Sequence, residues 1–180
     1  MKASKLIIII TLALTFLLSG CIAVDGYFKG VRNKVFSSVE GDFKKEVEFS
    51  IGAAALTLSS AVVSFSDAPE YTDDMLRKVD RIQLGVYKNY NWDNYKPSFN
   101  SLREITSELT EDGYECIIRS IDKSDMFAVM VKTNLDRIRE MFVVAVNPEE
   151  MVMTQIFGDL DELLEIAIRS QSMNVDFAKN

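Results

Sequence analysis

Apolar and polar positions alternate or recur regularly enough to predict most elements. Glu46-Val47-Glu48-Phe49-Ser50-Ile51 alternates, as a half-buried strand does. Gly52 then opens a run from Ala53 to Phe65 that is apolar most of the way round but too short and serine-rich to span a bilayer. A buried helix is expected there, with a β-hairpin as the alternative. Thr72-Asp73-Asp74 puts a cap and negative charge at the start of a short helix through Lys78. Arg81–Tyr87 alternates and predicts a strand. Phe99, Leu102, Ile105 and Leu109 recur at helical spacing; Ser101 with Glu104 could form a capping box, or Ser98 could start the helix earlier. Asp112-Gly113 ends it, glycine supplying the left-handed residue after the last turn.

A β region follows. Strands are expected at Tyr114–Ile121, Met126–Thr133, Arg137–Val146 and Met151–Phe157, joined by Asp122-Lys123-Ser124-Asp125, Asn134-Leu135-Asp136 and Asn147-Pro148-Glu149-Glu150. Turns this short force antiparallel neighbours. Asp159 is expected to cap a last helix whose apolar face is Leu160, Leu163, Leu164, Ala167 and Ile168. Strand, helices, strand, helix, four-strand meander, helix is the order of an α+β domain, an antiparallel meander sheet packed with helices. One domain is expected over 46–172. Residues 21–45 read as an N-terminal tether passing into an ill-defined first element, and 173–180 as a tail.

The start of the chain carries an address. Lys2 and Lys5 precede an unbroken apolar stretch from Leu6 to Leu18, and Ser19-Gly20-Cys21 ends it. A basic start, a short apolar core and small residues before a cut make a signal peptide, here residues 1–20. Leu18-Ser19-Gly20-Cys21 resembles the lipobox of bacterial lipoproteins. The resemblance implies that a diacylglycerol joins the Cys21 thiol, that cleavage falls between Gly20 and Cys21, and that the new amino terminus is acylated, as with palmitate. Stable anchoring takes more than one acyl chain, which this arrangement supplies. Ile22 follows the cysteine where an aspartate would favour inner-membrane retention. The expected location is the cell envelope, the periplasmic leaflet of the outer membrane being favoured if the cell is Gram-negative.

The element order also resembles a family of small exported bacterial proteins known as a domain of unknown function. There an apolar helix precedes a strand ending in Val-Tyr, matched by Val86-Tyr87, and a meander with an acidic-capped last helix follows. The similarity covers about residues 45–170 and implies a fold without an activity.

Composition narrows the chemistry. The net charge is −7, and loss of Lys2 and Lys5 leaves 18 basic against 27 acidic residues, near −9. That balance argues against nucleic acid as a partner and against electrostatic adhesion to anionic lipid. The chain has no histidine, which removes Ser-His-Asp triads, Cys-His dyads and nearly all zinc or copper sites. With Cys21 acylated, Cys116 is the remaining cysteine. It lies in a strand-like run and is expected to be buried and inert.

Two segments stand out. The loop from Tyr87 to Pro97 holds the only tryptophan, with Tyr90, Trp92 and Tyr95 among asparagines. Such aromatics suit glycan stacking or protein contact, but aromatic loops more often cover a core. The meander holds Met126, Met130, Met141, Met151 and Met153, five of the eight methionines. Alternation and short turns assign Phe127, Val129, Val131, Phe142, Val144 and Val146 to one face, and Ala128, Met130, Met141, Val143 and Ala145 to the other, with Met130 beside Met141. A solvated second face should be polar; this one is covered by another part of the chain, the commoner solution, or it is an interface at Met130, Met141 and Val143. Asp159-Leu160-Asp161-Glu162 is explained by helix capping rather than a metal. Ser120-x-x-Lys123 lacks the companion motifs of penicillin-binding enzymes. No cofactor is expected.

The expected function is a membrane-anchored, non-enzymatic envelope lipoprotein that binds another envelope protein. A glycan- or peptidoglycan-binding module using the Tyr90-Trp92-Tyr95 loop is the alternative, and a carboxylate-dependent hydrolase is a distant third.

Overall fold

The computed structural model describes residues 23–57, 76–91, 95, 98–163 and 165. Six antiparallel strands form one sheet. They are β1 (Phe43–Gly52), β2 (Val79–Asn89), β3 (Glu115–Asp122), β4 (Asp125–Asn134), β5 (Arg137–Val146) and β6 (Glu150–Gly158). Their order across the sheet is β1-β2-β6-β5-β4-β3. Two helices, α1 (Gly26–Ser38) and α2 (Phe99–Glu111), share a core cluster with one face of the sheet. The α+β meander expected from the sequence is the observed fold. Residues 53–57 are helical, as expected; the rest of that apolar run, and most of the 72–78 helix, lie outside the described residues.

Helix α1 replaces most of the expected tether. Asp25 caps it, its carboxylate accepting from Phe28 N at 2.9 Å. Phe28, Val31 and Val35, one turn apart, are buried. Val24, Val39 and Phe43 are buried as well, so the core begins at residue 24 rather than at 46. The pattern was hidden by Gly26 and Gly30, both poor helix formers, and by a helix with only one narrow apolar stripe.

Helix α2 starts at Ser98, whose hydroxyl accepts from Ser101 N at 3.0 Å. It ends in a Schellman turn. Tyr114 N donates to Leu109 O and Gly113 N to Thr110 O, with Gly113 at φ 88°.

The β4–β5 connection decides which side chains share a face. Leu135 and Asp136 both have positive φ (51° and 60°), as in a type I′ hairpin turn. Next to the turn Thr133 opposes Ile138, but one step on Lys132 opposes Glu140, so Arg139 is an extra residue in β5. This bulge moves every later β5 side chain to the other face. Met130 therefore opposes Phe142, and Val131 opposes Met141. Met130 and Met141 lie on opposite faces, not side by side, which corrects the simple alternation.

The inner face, under the helices, carries Tyr87, Met126, Ala128, Met130, Phe142, Val144, Val146, Met151 and Met153, all buried. The outer face consists of three cross-strand rows. One runs Val47, Val86, Val152, Ala145, Phe127; the next Phe49, Leu84, Thr154, Val143, Val129, Ile118; the third Ile51, Ile82, Ile156, Met141, Val131. Val129 and Val131 are buried, while Ile118 and Phe127 are exposed.

Candidate functional site

A buried polar cluster sits where α1 begins. Gln83 and Gln155 are register partners on the inner face and both are buried. Gln83 Nε2 donates to Gln155 Oε1 (3.0 Å) and Asp25 Oδ2 (2.9 Å), and Gln83 Oε1 accepts from Asp25 N (2.7 Å). Gln155 Nε2 donates to the Tyr114 hydroxyl at 3.0 Å, which donates to Glu140 Oε2 at 2.7 Å. Tyr27 stacks on Tyr114 with centroids 6.5 Å apart and donates to Asp112 Oδ2. Arg81 pairs with Asp25 at 3.3 Å and lies over the Phe157 ring. Burial, then the neighbouring carboxylates, pushes the hydroxyls of Tyr27 and Tyr114 well above the ordinary tyrosine range. Both stay neutral donors. The small cavity here, about 230 Å³, is rimmed by these same groups.

Each of those amide and tyrosine donors is spent on a neighbour, which is what a buried polar network needs to be stable. The arrangement fastens the start of α1 to β2 and β6. Its sequence signal is visible afterwards: Gln83 and Gln155 occupy positions where the alternation calls for apolar residues. Cys21 lies outside the described residues. Val24, three residues later, is buried, and three residues reach at most about 11 Å.

The aromatic loop does not form one platform. Tyr95 is buried, packs edge-on to Phe43 with centroids 6.5 Å apart, and reaches the Val146 carbonyl at 3.3 Å. Tyr90 is exposed, with Lys44 Nζ 5.1 Å from its ring centroid. Trp92 lies outside the described residues. Of the three interface candidates, Met130 is fully buried under the helices, while Met141 and Val143 are half-buried on the outer face.

Strand β3 is an edge strand, and its residues are exposed almost throughout. Ile117 and Ile118 are 52% and 50% exposed, and Phe127, on the neighbouring strand, 37%. A shallow groove of about 270 Å³ continues this patch past Phe127, Ala145 and Val152 to a polar rim of Asp125, Asn147 and Glu150. Cys116 is exposed, not buried as expected, because its strand is an edge strand with no other described strand on its outer side. The acidic residues after β6 serve the fold. Asp159 pairs with Arg137 (3.3 Å) and Arg139 (3.7 Å), and Asp161 accepts from Ile138 N at 2.9 Å. Among the described residues no group of three or more cysteines and carboxylates is placed to hold a metal.

Comparison with curated proteins and with solved structures finds no match. A family model does match. It covers residues 42–163, from the start of β1 to the first turn after β6, and so spans the whole sheet together with α2. With that match over more than half of its length, the chain belongs to the family described as a domain of unknown function, DUF4252.

Proposed function

We propose that this protein is a lipid-anchored envelope lipoprotein that works by binding another protein, not by catalysis. The anchoring part rests on Leu18-Ser19-Gly20-Cys21. The burial of Val24 gives it a physical consequence: an acylated Cys21 would hold the domain within about 11 Å of chain from the membrane surface. The binding part rests on one observation, the exposed Ile117–Ile118 pair beside Phe127, on the edge of β3 that pairs with no other described strand. Exposed apolar side chains next to free strand edges favour contact with a partner chain. The polar cluster at Asp25 has its hydrogen-bonding groups turned on one another, which suits fastening better than turnover. The glycan-binding reading loses support because Tyr95 belongs to the core.

A photo-crosslinking residue at Ile118 in intact cells tests the binding part. A discrete adduct with one envelope protein is expected, absent when the crosslinker replaces Lys29 on α1. Equal adducts from both positions, or none from Ile118, would overturn it.

A further inference from the structure

Between α2 and β3 lies an open cleft of about 380 Å³ that contains Arg103 from the helix and Arg119 from the strand. The other described arginines all have partners. Arg32 pairs with Glu48, Arg81 with Asp25, Arg137 and Arg139 with Asp159, and Arg77 is also engaged. Arg103 and Arg119 are the two described arginines with no carboxylate, and both line the same cleft. Two guanidinium groups without a carboxylate partner therefore line one cleft of a chain that has 27 acidic and 20 basic residues.

We propose that this cleft binds a phosphate group, with Arg103 and Arg119 as the two recognition residues. A guanidinium is a planar fork that grips two oxygens of an oxyanion. A carboxylate can bridge two arginines, as Asp159 does with Arg137 and Arg139. A phosphate monoester, with three terminal oxygens and a charge of about −2, serves two forks arriving from different elements better. The hydroxyls along α2 do not compete for the role. Thr106 donates to Arg103 O, and Thr110 to Thr106 O. Ser107 donates to Glu104 O. Recognition therefore falls to the arginines. Glu111 also lines the cleft, and its negative charge opposes an anion, so it sets an upper limit on affinity. A free phosphate monoester and the monoester headgroup of phosphatidic acid share this chemistry.

The test uses the full chain. In detergent micelles, calorimetric titration with glycerol 3-phosphate and with inorganic phosphate should show saturable binding that matched chloride does not give. In nanodiscs, melting temperature is compared between phosphatidylcholine alone and phosphatidylcholine with phosphatidic acid, since a ligand that binds the native state raises it. Binding of the soluble probes assigns the site to a free ester, and stabilisation by phosphatidic acid alone assigns it to a headgroup. In either case Arg103→Gln and Arg119→Gln should each weaken the response about tenfold or more. Arg→Lys variants should fall between, and Glu111→Gln should strengthen it. Both arginines are exposed, so these variants should melt like the parent without ligand. No response to any probe, or a response unchanged by both Arg→Gln variants, overturns the proposal.

Discussion

Tyr87 folds back over Gly85: a Cβ on Gly85 would lie 2.0 Å from the Tyr87 hydroxyl oxygen. That oxygen donates to Glu48 at 2.8 Å, and Glu48 stands directly across from Gly85 on β1. Arg32 of α1 closes on the same carboxylate. The Val86-Tyr87 stretch of β2 thus joins sheet, edge strand and first helix at one point. Gly85→Ala must push the ring or the strand aside and should cost about 1–3 kcal/mol. A urea denaturation midpoint equal to the parent's would refute this account.

Glycines in α1 give the opposite sign. Nothing lies within 4 Å of a Cβ built on Gly26 or Gly30. Gly30→Ala, inside the helix, should stabilise by about 0.5–1 kcal/mol through lower unfolded-state entropy and better helix propensity. Were residues 26–38 a free tether, the midpoint would not move.

The β5 bulge separates the two methionines. Met130 is fully buried beside Phe142, whereas Met141 is half-buried on the outer face. Met130→Lys puts an unpartnered charge into the core and should abolish cooperative folding. Met141→Lys should leave a cooperative transition in circular dichroism. Equal behaviour of the two variants would contradict the register.

Alkaline unfolding should be steep. Burial, then the charge of Asp125, pushes Tyr95 from 10.0 up to about 12, and Tyr27, Tyr87 and Tyr114 are raised too. A hydroxyl whose pKa is higher in the folded state contributes stability below the unfolded value of 10, which is lost as pH rises through the folded one. Stability should therefore fall between about pH 10 and 12, and the fall should be shallower in Tyr95→Phe. Denaturation midpoints across that range provide the check.

Cys21→Ser should lose metabolic labelling by fatty acid and leave the precursor uncut, since the lipobox reading makes the thiol the acyl acceptor. Label retained on that variant would remove the anchor from the proposed function.

Much of this was legible from local pattern. The positions of the strands and of helix α2 followed from alternation, helical spacing and turn residues, because each reflects a backbone period that a short window contains. The Ser98 cap and the Gly113 stop are local in the same way. Tyr95 was visible only as part of an aromatic loop; its place against Phe43 depends on β1, some fifty residues away. Arg103 and Arg119 lie sixteen residues apart on different elements, and only the fold puts them in one cleft.

By itself the sequence determined the strands, helix α2 and the antiparallel meander, since short turns leave neighbouring strands no other direction. The faces of β5 were decided by tertiary structure. Both faces of the meander are apolar, so hydrophobic pattern could not choose between registers. The single extra residue at Arg139 chose instead, burying Met130 with Phe142 and turning Met141 outward. The same holds for α1. Phe28, Val31 and Val35 make too thin a stripe to sustain a helix alone, and it is packing against α2 and the sheet that makes residues 26–38 part of the core.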